Sequence, residues 1–177
     1  MKPLRFSGKF KAPESPLIKT ASSAIKGYST SPIALNETND CVVKAMAAAT
    51  GSSYDDAHEF VTNVFNRKPR KGTYNFVNGM AQLIEKGKVL GKEFVFVGEK
   101  RDEYCKYPIP TTYKMERGRY VEKNMTFRHF IKKYSKGTYL LVVRGHAFTV
   151  SDGIVIGGLF SDSVAMKRIV KTAWRVV

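Results

Sequence analysis

Two residues in this chain have the type and setting that thiol chemistry requires. Cys41 opens the run Cys-Val-Val-Lys-Ala-Met-Ala-Ala-Ala (41–49), and His146 follows Gly145 between two β-rich runs. A free cysteine in an Ala/Val-rich helix is ordinarily a small core residue. A cysteine at a helix start is in a different position, because unpaired backbone N–H groups and the helix dipole favour a thiolate there. Such a nucleophile needs a base within hydrogen-bond reach and donors for the oxyanion it creates. His146 is the candidate base, held at the start of a strand, although a strand histidine can equally turn its ring to solvent. Asn36 and Asn39 are the candidate oxyanion donors, since the neighbouring Asp40 carboxylate can only accept.

The remaining chemistry-bearing residues fit less well. His58 is expected mid-helix beside an apolar face, and His129 off the apolar stripe of its own helix. Cys105 lies between Tyr104 and Lys106 in a charged stretch, with no helix start behind it. The two Cys and three His show no CxxC or HxxxH spacing, so no metal and no cofactor is expected. Two cysteines do not make a disulfide scaffold. Both thiols are expected free, in a reducing compartment.

The elements that must place Cys41 and His146 can be read from periodicity. The 41–49 run is apolar nearly all round and predicts a buried helix, with Asn39 or Asp40 as cap and Gly51 as its end. Ser53 opens a second helix, with Asp56 completing a capping-box variant and Ala57, Phe60, Val61, Val64 and Phe65 on its inner face. A third helix is expected over Tyr74 to Glu85, with Val77, Met80, Ala81 and Ile84 inward. Glu93 to Val97 alternates as a strand. Residues 99–124, charged and containing Pro108 and Pro110, read as a surface excursion. Thr126 caps a short helix facing inward with Phe127, Phe130, Ile131 and Tyr134. Thr138 to Val143 and Ala147 to Val150 are β-rich, and Asp152-Gly153 marks a hairpin turn into Ile154 to Ile156. Lys167 to Val176 is again β-prone. Helices first and strands later indicate an α+β domain over 36–177, a helical part packed on an antiparallel sheet. Residues 1–35, punctuated by four prolines and rich in Ser, Thr and Lys, read as an extended basic arm that would be ordered only by packing on its own domain or on a neighbour.

Charge is the compositional anomaly. Thirty Lys+Arg against fifteen Asp+Glu leave a net charge of +15. A field of that size attracts polyanions, nucleic acid or an acidic protein surface, and it also serves as a solubilising coat. The cations recur in patches: 67–71, Lys100-Arg101, Lys114 to Lys123 and Lys132-Lys133. No run of about 18 apolar residues is present and no apolar stretch follows the first lysines, so neither a membrane span nor a secretory leader is expected.

Two blocks resemble a known family. Thr38-Asn39-Asp40-Cys41-Val42-Val43-Lys44-Ala45 with Ala-Thr-Gly-Ser-Ser-Tyr-Asp-Asp (49–56) resembles the opening of papain-like cysteine peptidase-type proteins of bacteriophages, related to the bacteriocin-processing peptidases. The run from Thr126-Phe127 to Phe130, then Lys136-Gly137-Thr138 through Arg144-Gly145-His146-Ala147-Phe148-Thr149-Val150, then Asp152-Gly153-Ile154-Val155, resembles the family's helix, strand, Gly-His strand and turn. The resemblance frames most of 36–157 and leaves out the arm and the 99–124 excursion. It implies a papain-like α+β fold with Cys41 as nucleophile on the central helix and His146 as general base. It also implies a third, acidic or amide, member beyond the histidine strand; Asp162 is the residue expected there, Asp152 being a turn residue. The glutamine that papain places upstream of its nucleophile has no counterpart. Asn36, Asn39 or backbone N–H groups alone would have to serve.

The implied activity is amide-bond cleavage in a protein or peptide substrate, without a cofactor, in a host cytoplasm or a virion. The competing expectation is an inactive papain-like protein, a structural or accessory virion component that touches DNA or other phage or host proteins through its arm and charge.

Overall fold

The helix that carries Cys41 is buried on most of its surface because its sequence is almost wholly apolar, leaving only Cys41, Lys44 and Ala48 partly exposed. It runs Cys41–Thr50, with Val42, Val43, Ala45, Met46, Ala47 and Ala49 all buried. Gly51 ends it in the left-handed region (φ 72°) and returns its N–H to the Ala47 carbonyl, the expected C-terminal stop. The computed structural model describes residues 17–100, 106–157 and 165–177, so Asp162 and Cys105 lie outside the described residues.

Among these residues are six α-helices: α1 (Ala21–Ala24), α2 (Pro32–Asn36), α3 (Cys41–Thr50), α4 (Tyr54–Phe65), α5 (Phe76–Lys86) and α6 (Phe127–Lys133). The strands are β1 (Ile18–Lys19), β2 (Phe94–Phe96), β3 (Thr111–Glu116), β4 (Arg119–Asn124), β5 (Thr138–Val143), β6 (His146–Ser151), β7 (Ile154–Ile156) and β8 (Thr172–Val176). Six strands form one sheet in the order β1-β7-β6-β5-β8-β2, and β3 and β4 pair only with each other. The class is α+β, as expected. The sheet is mixed rather than wholly antiparallel, because β1 joins β7 in parallel.

Strand alternation divides the core into two layers. Leu140 of β5, Ala147 of β6 and Trp174 of β8 face α3, α4 and α5. Tyr139, Leu141, Phe148 and Val150 face the other way, against Phe127 and Phe130 of α6. On the first side Trp174 is fully buried, with Phe76 and Phe96 rings at 6.0 and 5.5 Å.

Local signals account for most of the helix starts. Ser53 Oγ accepts the Asp56 N–H at 3.1 Å, and the Thr126 hydroxyl accepts the N–H of His129. Helix α5 starts two residues later than expected, since Asn75 turns to φ 54° and Tyr74 is left exposed. On α4 Tyr54, Ala57 and Val61 are buried, Phe60 and Phe65 pack partly buried against the same core, and Val64 faces solvent.

Two longer segments differ from expectation. Of residues 1–35, read as an arm, those from Ile18 onward belong to the domain: β1 is an edge strand, and Ile25 and Ala34 sit in the core beside α3. Within the 99–124 excursion, Thr111 to Asn124 is an antiparallel ribbon turning at Arg117 and Gly118, both at positive φ as a two-residue primed turn needs. Tyr113, Met115 and Tyr120 of the ribbon are exposed. Tyr113 and Met115 alternate with Lys114 and Glu116 in β3, but they face solvent, and β4 carries no matching pattern.

Candidate active site

Cys41 is the first residue of α3, and Asp40 occupies the cap position before it. Sequence reasoning made Asn39 or Asp40 the cap. Neither caps: the Asp40 carboxylate is buried and turned inward, accepting the Tyr54 hydroxyl at 2.8 Å and pairing with Lys44 Nζ at 2.9 Å. Among the described residues no side chain caps the first N–H groups of α3, next to the half-buried Cys41. Burial, and then the bond to Asp40, hold the Tyr54 phenol well above its usual range. Burial works against the Lys44 ammonium, but hydrogen bonding to Asp40 and then to Tyr28 outweighs it and raises Lys44 above its ordinary value.

His146 opens β6. Arg144 and Gly145 make the two-residue turn from β5, where Val143 and His146 are paired across the hairpin, and Gly145 takes φ 73° at its second position. That position favours glycine, which places the imidazole at a rigid corner. Alternation puts the His146 side chain with Phe148, and the two rings stack at 5.9 Å with an interplanar angle of 17°. Ala147 and Thr149 face α3 instead, and Thr149 Oγ1 donates to the Ala45 carbonyl at 2.7 Å. This buried bond ties the helix of Cys41 to the strand of His146, so the relative position of the two elements is set by core packing rather than by a loop. Burial, followed by the positive charges of Arg168 and Lys44, lowers the His146 pKa below the ordinary histidine value. The imidazole is thus neutral near neutral pH, the form a base requires.

Cys41 and His146 both line two adjoining clefts. One, about 340 Å³, is walled by Val42, Phe76, Val77, Val142 and Ala147 and is apolar. The other, about 630 Å³, is polar and includes Thr38, Asn39, Lys44, Lys71 and Tyr74. Among the described residues the Cys41 sulfur makes no hydrogen bond, to His146 or to any other group. Both residues contribute to these clefts, but strand alternation puts the His146 ring with Phe148 on the sheet face away from α3, and no hydrogen bond joins it to Cys41.

The other expected site residues separate. Asn36 donates its amide to the Pro32 carbonyl within α2 and lines neither cleft. Asn39 lines the polar cleft but donates its amide to the Arg70 carbonyl at 3.2 Å. Both side chains are thus engaged in holding backbone, and the open α3 N–H groups are the donors nearest Cys41. Asp162 lies outside the described residues. Asp152 is a turn residue at φ 47°, its Oδ1 accepting the Gly137 N–H. His129 is exposed beside Thr126.

Sequence reasoning missed a cluster that braces the loop before Cys41. Glu37 accepts from Arg67 Nη2 at 2.7 Å and from the Arg70 backbone N–H at 2.9 Å, with His58 Nε2 at 3.2 Å from its other oxygen. The Arg67 side chain is fully buried. Its bond to Glu37 leads the effects that, against burial, hold the Glu37 carboxyl at about 2, far below its usual 4.5. These partners lie 21 to 33 residues apart in sequence, so no spacing announces them.

No protein-family model, curated protein sequence or solved structure matches the chain. No group of three or more metal-ligating side chains occurs among the described residues, and none of their helices is long and apolar enough to cross a membrane.

Proposed function

We propose that the chain is a papain-like cysteine hydrolase of phage origin that cleaves amide bonds. The observation that supports this reading is that Cys41, at the N-terminus of a buried helix, and His146, at a hairpin corner, line the same two clefts. In the reaction the neutral His146 imidazole takes the thiol proton as Cys41 sulfur bonds to the substrate carbonyl carbon. The oxyanion is met by N–H groups at the start of α3. The C–N bond then breaks as the imidazolium passes its proton to the leaving amine, and a thioester remains on Cys41. Water, deprotonated by His146, attacks the thioester; the carboxylic acid leaves and the thiol is restored. Hydrogen bonds of such pairs are commonly loose without substrate and tighten in its complex.

A second reading is favoured by the lack of a hydrogen bond at the Cys41 sulfur: a papain-like scaffold without turnover, used for contacts in a virion or with host proteins. Cleavage of a quenched peptide library separates the two. Turnover by the wild type that is lost in both Cys41→Ala and His146→Ala supports the hydrolase. Turnover that survives Cys41→Ala, or none in the wild type, favours the scaffold.

A further inference from the structure

The cleft mouth at Cys41 is one part of a longer groove. The loop from Asn66 to Asn75 forms its outer wall: Gly72 borders both clefts at Cys41 and a third hollow of about 590 Å³ that extends toward Gln82. Lys71 and Tyr74 border that hollow and the polar cleft alike. The wall is preorganised, because Thr38 and Asn39 both donate to the Arg70 carbonyl and Glu37 holds Arg67 beneath it.

Charge along this groove is one-sided. Lys68 and Lys71 are exposed and make no ion pair among the described residues, and Tyr74 is 79% exposed beside them. Lys106 stands at the rim, its Nζ 3.4 Å from Asn78 Oδ1. The carboxylates that line the groove, Glu37 and Asp40, are both committed to internal partners. The smaller cleft at Cys41 is apolar instead, with Val77 and Val142, and it meets the third hollow at Gly72, Asn75 and Asn78. A single-stranded nucleic acid would need cations along its whole track. A polypeptide can be acidic on one side of a bond and apolar on the other.

We propose that the groove binds an extended acidic peptide, with an apolar side chain in the Val77–Val142 arm and acidic side chains along Lys71 and Lys68. This rests on the hydrolase reading for the scissile bond, but the binding itself does not need turnover. The test is fluorescence anisotropy of full-length Cys41→Ser with a labelled peptide of alternating Glu and Ser around one Leu. Its Gln-for-Glu counterpart, its Ser-for-Leu counterpart and an oligothymidylate complete the set.

The acidic peptide is expected to bind about tenfold or more tighter than the Gln version, and to weaken with added salt. Lys68→Glu combined with Lys71→Glu is expected to erase that preference, and loss of the Leu to weaken binding further. Both lysines are exposed, so the double variant is expected to keep the wild-type circular dichroism. Equal binding of the Glu and Gln peptides, a preference unchanged by the lysine variants, or tighter binding of the oligothymidylate would overturn the proposal. Alkylation of Cys41 in the wild type reports on the hydrolase separately. Acidic binding without His146-dependent alkylation retains the groove and rejects the hydrolase; the reverse result rejects the groove alone.

Discussion

His146 shows at the scale of one residue how surroundings prepare a side chain. Burial and the charges of Arg168 and Lys44 disfavour its imidazolium, so its proton leaves at a pH below the ordinary 6.5. In an NMR titration the His146 ring signals are expected to move with a midpoint below 6.5. Lys44→Met is expected to raise that midpoint, because a cation is removed and the Asp40 carboxylate it paired is exposed to view. A midpoint at or above 6.5, or one indifferent to Lys44, would contradict this. The identity of Cys41 and His146 as candidates was legible from residue type and setting alone. The part played by Asp40 was not. Its position suggested a cap, and the preference of a buried Tyr54 hydroxyl and of Lys44 for its carboxylate decided otherwise.

At the scale of elements, the pairing of α3 with β6 is the feature on which the site depends. Thr149 Oγ1 reaches the Ala45 carbonyl across a buried interface between them. Thr149→Val keeps the shape and removes the bond, and is expected to cost about 1 kcal/mol in urea unfolding. An unchanged midpoint would remove this bond from the list of what fixes the site. Helices α3, α4 and α6 were legible because their signals are local: an apolar surround, Ser53 and Thr126 at the caps, Gly51 at an end. The β3–β4 ribbon was not, since its two faces meet solvent and the brief alternation of Tyr113 and Met115 in β3 has no counterpart in β4. Strand β1 was hidden for another reason. Two residues pairing in parallel with β7 leave no periodic trace, and only the finished sheet edge selects them.

For the whole molecule, the cluster of Glu37, Arg67 and His58 couples the domain's stability to pH. Glu37 is held at about 2 against 4.5 in the ordinary state, so the unfolded chain takes up this proton first as pH falls. Stability from this group is complete above pH 4.5 and drains away as pH drops toward 2. The shift corresponds to about 3 kcal/mol. Urea unfolding of the wild type is expected to weaken across that window, and Glu37→Gln to flatten this part of the dependence at the expense of stability near neutral pH, where Arg67 would lose its buried counterion. A wild type and variant with parallel pH curves would contradict it. The same cluster and the groove wall it braces join segments distant in sequence, which is why patches of charge were visible beforehand and their arrangement along one groove was not.

The most direct measurement is the rate at which iodoacetamide alkylates Cys41, followed by mass spectrometry across pH in the wild type and in His146→Ala. The proposed thiol–imidazole chemistry predicts fast alkylation of the wild type near neutral pH, slowed about tenfold or more in His146→Ala. Equal rates in the two proteins at every pH would contradict the pairing of Cys41 with His146.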